Sequence, residues 1–265
     1  MPTFIDQMNR SIDLPYVPRR IVSLVPSQTE LLFDLGLDKE LIGITKFCIH
    51  PTGKVKLKVK IGGTKQLNIN LIKKLNPDLV IGNKEENERG QIEELMQHFP
   101  VWMSDISDLD HALDMIRKVG DVAGRKAEAT VLANNISQQF NNLDIHWSGK
   151  RVAYFIWRKP YMVAGQGTFI NGMLGRCGFV NAFDIQRYPQ LTPEEIITAS
   201  ADIVLLSSEP YPFGGKHIPE FESLFPHAKI KLVDGEMFSW YGSRLLRAPA
   251  YFRELISQLI GEIKN

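Results

Sequence analysis

The residues with the clearest chemical capacity are a thiol and an imidazole. Cys48 and His50 stand two apart in Phe47-Cys48-Ile49-His50-Pro51. In an extended segment both would project to one side. Thiolate and imidazole suit a soft or borderline metal, and His50 could serve as an axial ligand to cobalt or iron. The competing reading is a small buried thiol beside a loop histidine, because a structural zinc site needs further ligands and no second Cys/His cluster occurs. Trp240-Tyr241-Gly242-Ser243-Arg244 is the other dense stretch. Aromatics and arginine in a glycine-containing loop suit recognition, and Arg244 could pair with a carboxylate or phosphate on a ligand. These aromatics could instead pack the last helix, expected from about Pro249 to Ile260. The binding role is favoured because the loop follows a final strand.

Asp105 and Glu209, with Cys48 and His50, keep an enzyme as the rival class. However, no nucleophile elbow, Walker loop, dinucleotide fingerprint or zinc-protease helix is present. Gly165-Gln166-Gly167 has too few glycines for a phosphate cradle and reads as a turn into a helix. The run from Lys84 to Arg89 reads as a solvated helix start. Lys54, Lys56, Lys58 and Lys60 alternate with Val55, Leu57 and Val59, as a solvated edge or loop would. The expectation is a binding protein with no required cofactor. A scaffold that has lost its ligand is the third class.

The bulk composition agrees. Of 265 residues, 44% are hydrophobic and 23% charged, enough for one large domain or two modest ones. A net charge of +1 gives no sign of a nucleic-acid footprint. Two cysteines make no disulfide framework. No apolar run is long enough to insert in a membrane, and Met1–Pro18 does not read as a signal peptide. As written, a cytoplasmic monomer is expected, or a periplasmic one if a leader precedes it.

The elements that must position these groups come in two similar sets. Arg20–Val25 reads as a strand. Ser27-Gln28-Thr29-Glu30 reads as a capping box opening a helix that buries Leu31, Leu32 and Leu35 and stops at Gly36. Leu41–Thr45 is the next strand. Leu67–Ile81 then reads as cap, short helix, turn and strand, and Leu191–Leu205 repeats it without a gap. Asn68 matches Thr192 as N-cap, and Asp78 matches Asp202 before the strand. Pro193 takes the first helical position, where its missing N–H costs nothing. Phe99-Pro100 and Phe225-Pro226 each lead to another strand, and Arg151–Ile156 corresponds to Arg20–Val25. Alternating strands and helices predict parallel sheets with helices on their faces. Between the halves, Ala129, Leu132, Ile136, Phe140 and Leu143 recur at helical spacing. The reading is an α/β lobe at 1–124, a stiff connecting helix at 125–147 of roughly 30 Å, and a second α/β lobe at 148–265. Ligand would lie in the cleft between the lobes, beyond the strands' carboxyl ends.

With "RIVSLVPSQTELLFDLG", "LNPDLVIG" and "GQGTFINGMLGRCGFVNAF" in order, the chain resembles the class III periplasmic binding proteins. These are the helical-backbone receptors for cobalamin and ferric siderophores in ABC import. The resemblance covers about Arg19 to Leu259. It implies reversible capture of a metal chelate, a cobalt corrinoid first and a ferric siderophore or heme next, with an ABC permease as partner. Its ligand positions fall on Phe47, Lys65, Asn83, Trp157 and Tyr188, and on Glu236, Met237, Phe238, Ser239 and Trp240, to which the Trp240–Arg244 reading adds Tyr241 and Arg244. Lys65 and Asn83 replace family tryptophans. Its two permease-docking glutamates fall on Asn70 and Glu194, so only the second is acidic.

Overall fold

The computed structural model describes residues 2–143, 145 and 149–260. By backbone contacts the chain forms two compact units. One holds residues up to Ile106, Asp110–Ser137 and Tyr241–Arg244. The other holds Ser107–Leu109, Gln138–Trp240 and the chain from Leu245.

The first unit opens with a hairpin, β1 (Thr3–Ile5) against β2 (Ser11–Asp13). There follow β3 (Ile21–Ser23), α1 (Pro26–Asp34), β4 (Leu41–Ile44), α2 (Thr52–Val55), β5 (Val59–Lys60), α3 (Ile69–Leu75), β6 (Leu79–Asn83), α4 (Arg89–Met96), β7 (Val101–Ser104) and α5 (Leu109–Val122). The five-stranded sheet has the order β5-β4-β3-β6-β7, and every pairing in it is parallel. β3 and β6 are buried along their whole length, as sheets covered on both faces require.

The helix starts show which local signals held. Asn68 Oδ1 accepts the Leu71 N–H and caps α3. Gly36, at φ +75°, follows the end of α1 as expected. The capping box at Ser27 does not form. Pro26 takes the first helical position of α1 after Val25, with no side-chain cap. The Ser27 hydroxyl is buried without a partner, and the Glu30 carboxylate bonds Arg244 instead. A proline at the first position moved the start of the helix two residues earlier than the Ser–Glu pair suggests.

The expected helix at 125–147 is α6 (Lys126–Asn141). Its 16 residues span about 24 Å, short of the expected length. Trp147, its expected end, lies outside the described residues. Ala129, Ala133, Ile136 and Phe140 are its buried stripe. α5 and α6 cross closely at Gly120, where a Cβ would sit 2.1 Å from that of Ala129. The division between the units falls inside α6.

The second unit contains β8 (Arg151–Arg158), β9 (Tyr161–Val163), α7 (Phe169–Arg176), β10 (Val180–Asn181), β11 (Gln190–Leu191), α8 (Pro193–Thr198), β12 (Ile203–Ser207), α9 (Ile218–Leu224), β13 (Lys229–Val233), α10 (Gly235–Ser239) and α11 (Ala248–Ile260). Its sheet runs β11-β9-β8-β12-β13, with β10 also on β8. β8, β10, β12 and β13 are parallel, while β9 folds back antiparallel on β8 and β11 on β9. Thr192 caps α8 in a full capping box with Glu195, and Pro193 follows it. The core is strongly aromatic. Phe155 meets Phe221 edge-on at 4.7 Å and, farther off, Phe183 and Phe225 at 6.4 and 6.1 Å, the edge-to-face arrangement aromatic pairs favour.

The internal repeat extends to side chains at the amino ends of both sheets. Asp78 accepts the Arg19 and Arg20 N–H groups, both at 2.9 Å. Asp202 accepts the Arg151 N–H at 2.8 Å. Each aspartate's own N–H returns to the carbonyl of the same arginine. Arg20 bonds the carbonyls of Leu75 and Asn76 at the end of α3, and Arg151 that of Ala199 at the end of α8. Asn76 and Ser200 follow in the left-handed region, at φ 46° and 49°.

Candidate functional site

In parallel α/β sheets the carboxyl ends of the strands carry the ligand loops. In the first unit these ends are filled by a closed polar network. Asn83, the last residue of β6, is buried. Its amide donates to Ser104 Oγ at 2.9 Å, and its Oδ1 accepts the Glu85 and Glu86 N–H groups. Asn87 accepts the Asn83 N–H and donates to the Leu24 and Thr64 carbonyls. Gln28 donates to Ser104 Oγ at 2.6 Å. These amides fix the loops to one another, since buried polar groups cost free energy unless bonded.

Cys48 belongs to the same layer. Its buried sulfur lies 3.2 Å from both the Thr29 and Thr45 hydroxyls. Burial pushes this thiol's pKa up, more than the two hydroxyl bonds pull it down. It is held as a protonated thiol, a poor metal ligand, in a turn closed by its N–H to the Thr45 carbonyl. Among the described residues no group of three or more His, Cys, Asp or Glu side chains could hold a metal ion. Phe47 stands out from this loop, half exposed, with the Lys46 ammonium 5.1 Å from its ring centre. Lys65 is exposed, and its ammonium bonds the Glu85 carbonyl.

Arg244 also lies in the first unit and is only 5% exposed. Its guanidinium makes two bonds to Glu30, at 2.9 and 2.7 Å. Ser243 beside it bonds Asp34. The expected partner of Arg244 on a ligand is thus replaced by a carboxylate of α1. A buried bidentate pair of this kind positions the chain rather than waiting for substrate.

The carboxyl ends of the second unit differ. Trp157, near the end of β8, is 39% exposed. Tyr211, from the loop after β12, meets it edge-on at 5.6 Å. Tyr211 is held in turn by His217, whose Nε2 lies 3.2 Å from its hydroxyl. His217 Nδ1 accepts the Gly214 N–H, so in the neutral ring Nε2 carries the proton and donates to Tyr211. Arg158 and Tyr161 both bond Glu220. Burial, then the Glu220 bond, pushes the Tyr161 hydroxyl up to about 12. These contacts brace an aromatic ledge with an exposed indole at its rim.

The segment after β13 is buried on one side and partly exposed on the other. Phe238 is fully buried between Tyr154 and Phe252, at 5.1 and 4.7 Å. Trp240 and Tyr241 are nearly buried. The Trp240 indole N–H donates to Glu209 Oε1 at 2.9 Å, as does the Ser239 hydroxyl at 2.6 Å. Burial raises the Glu209 pKa, with Glu236 and Asp234 adding repulsion against the two bonds that lower it. Glu236 and Met237 are partly exposed at the start of α10, and Tyr188 is partly exposed before β11.

A sequence model described as periplasmic binding protein matches residues 21–222. The chain belongs to the periplasmic binding protein family. A vitamin B12-binding protein of Vibrio cholerae is 25% identical over 199 residues, 73% of this chain and 72% of that one. Among solved structures, the periplasmic vitamin B12-binding protein of Vibrio cholerae has a TM-score of 0.79 at 20% identity, covering 94% of this chain and 100% of that one. The apo form of a periplasmic heme-binding protein from Roseiflexus sp. RS-1 has a TM-score of 0.78 at 23% identity, covering 90% and 99%. Membership in the periplasmic binding protein family makes this a binding protein and not an enzyme. No helix among the described residues is long and apolar enough to cross a membrane.

Within that family fold, the described structure brings Trp157 and, partly, Glu236, Met237 and Ser239 to the carboxyl-end surface of the second unit, whereas Tyr188 lies opposite Ala164, level with the middle of β8. Phe47 and Lys65 reach the equivalent surface of the first. Asn83, Phe238, Trp240, Tyr241 and Arg244 are buried. Sequence reading overlooked Tyr211. Its signal was an aromatic two residues after Glu209, beyond the strand that repeats β6. Glu194 lies in the first turn of α8, and Lys73, beside Asn70, is ion-paired with Glu94.

Proposed function

We propose that this protein reversibly captures a metal-chelate small molecule on its carboxyl-end loops, a corrinoid first, with heme or a ferric siderophore next. The observation that carries the reading is Trp157, an exposed indole braced edge-on by Tyr211 at the end of a central strand. A flat or apolar chelate needs such a face, because aromatic surface supplies both apolar burial and π contact. The relatives' names, vitamin B12-binding and heme-binding, support the same ligand class. In this reading Glu236 orients polar groups of the ligand, and Met237 and Ser239 complete the surface around Trp157. The compartment would be that of the family, the periplasm. Delivery would be to an ABC permease, with Glu194 as a docking charge.

The test is a thermal-shift and visible-absorbance titration with cyanocobalamin, cobinamide, hemin and a ferric hydroxamate. A ligand that binds the folded state raises the melting temperature with concentration. One of the four is expected to do so with a spectral change, and Trp157→Ala to weaken it by about 1–3 kcal/mol. A flat response to all four would overturn the ligand class. Unaltered affinity in Trp157→Ala would overturn the placement of the site.

A further inference from the structure

The segment from Asp38 to Lys60 concentrates charge that the rest of the molecule cancels. It carries six lysines (Lys39, Lys46, Lys54, Lys56, Lys58 and Lys60) and two carboxylates (Asp38 and Glu40), a net of +4 in a chain whose total is +1. Lys54 pairs with Asp38 at 2.6 Å, and the Lys58 ammonium bonds the Asp38 carbonyl. Both lie over the Phe33 ring, at 5.8 and 5.9 Å. Those two are consumed in holding the turn. Among the described residues, Lys39, Lys46, Lys56 and Lys60 have no carboxylate within ion-pair reach.

The turn these lysines flank has an apolar tip. Leu57 lies between Lys56 and Lys58 in the turn joining α2 to β5 and is 85% exposed, the most open of all large apolar side chains described. Val59, two residues on, is 40% exposed. β5 is the edge strand of its sheet. Lysines along an edge strand can be explained as protection against strand pairing. That purpose does not account for a leucine held out in solvent on a turn that two lysine contacts brace.

We infer that the Lys54–Lys60 turn is a peripheral docking surface for an anionic phospholipid bilayer. Leu57 would enter the interface while Lys56 and Lys60 meet the headgroup phosphates. An isolated apolar tip ringed by unpaired lysines matches an interface that is negative outside and apolar beneath. Protein–protein interfaces are depleted in lysine, which favours the bilayer as the occupant. The turn belongs to the first unit and uses none of the residues of the aromatic ledge, so the proposal stands whatever the ligand is.

The full chain would be sedimented with phosphatidylcholine vesicles containing or lacking phosphatidylglycerol. Binding is expected only to the anionic vesicles, falling with added salt. Lys56→Glu/Lys60→Glu should reduce it roughly tenfold or more, with an unchanged melting temperature, since both side chains are exposed. In a Leu57→Trp variant, difference emission against wild type should shift to the blue on anionic vesicles. Equal binding to both vesicle types, none to either, or an unaltered double variant would overturn the proposal. So would tight, saturable binding of soluble polyglutamate with no blue shift on vesicles, which would point to an acidic protein partner instead.

Discussion

The amino ends of the two sheets are near copies, and their carboxyl ends are not. At the amino ends, Asp78 and Asp202 clip the first residues of β3 and β8, and Arg20 and Arg151 close α3 and α8. At the carboxyl ends, the repeat aligns Asn83 with Ser207. Asn83 spends its amide on Ser104 and on two loop N–H groups. Ser207 bonds the Tyr154 hydroxyl and the Glu209 carbonyl, and two residues beyond Glu209, Tyr211 meets an exposed tryptophan. The shared half of each repeat sets register and keeps the fold. The divergent half is where a new surface can be made without disturbing the strands that carry it.

The sharpest test of this contrast concerns the charges used as scaffold. Arg244→Ala would leave Glu30 buried and unpaired, and is expected to lower stability by about 3–5 kcal/mol in urea unfolding. A loss below about 1 kcal/mol would show the pair to be solvent-screened. The two tryptophans come next. Trp240→Ala is expected to cost about 3 kcal/mol of stability, as loss of a buried aromatic does. Trp157→Ala should stay within about 0.5 kcal/mol in the same assay, its effect falling on ligand affinity. The reverse ranking would exchange their roles.

The conserved geometry of the amino ends predicts matched, smaller effects. Asp78→Asn and Asp202→Asn should each cost about 1 kcal/mol, and clearly unequal losses would break the equivalence. The Asp202 pKa is lowered, chiefly by the Arg151 N–H and then by Lys150. Its contribution should therefore be full above the ordinary carboxylate range and be lost as pH falls through its folded pKa. Glu209 should behave oppositely, with the smallest effect. Its raised folded pKa means its contribution is full at low pH and is lost as pH rises through that pKa. Glu209→Gln keeps an acceptor for Ser239 and Trp240, so it should flatten the pH dependence of the melting temperature while leaving the fold intact. An unchanged slope would remove Glu209 from that account.

Much of the scaffold was legible because its signals are local. Asn68 and Thr192 cap helices within three residues of themselves, and period and β-branched runs name the buried strands. The family motifs followed the same logic, being turns and helix starts. Contiguity also misled. Ser27 and Glu30 have the spacing of a capping box, but Pro26 moved the helix start. The expected length of α6 rested on apolar residues at helical spacing as far as Leu143, and nothing in that spacing requires a helix to continue to its last member.

What the sequence determined by itself was the class of fold, its duplication, and the loops on which binding groups must lie. These follow from hydrogen-bonding patterns that each segment satisfies largely within itself. The tertiary structure alone decided which of those groups face solvent. Glu30 meets Arg244 across 214 residues, and Trp240 turns its indole to Glu209 across 31. A charge or an indole has the same local signature whether its partner is a ligand or another part of the chain. Only packing supplies the partner, and with it the difference between a binding residue and a buried support.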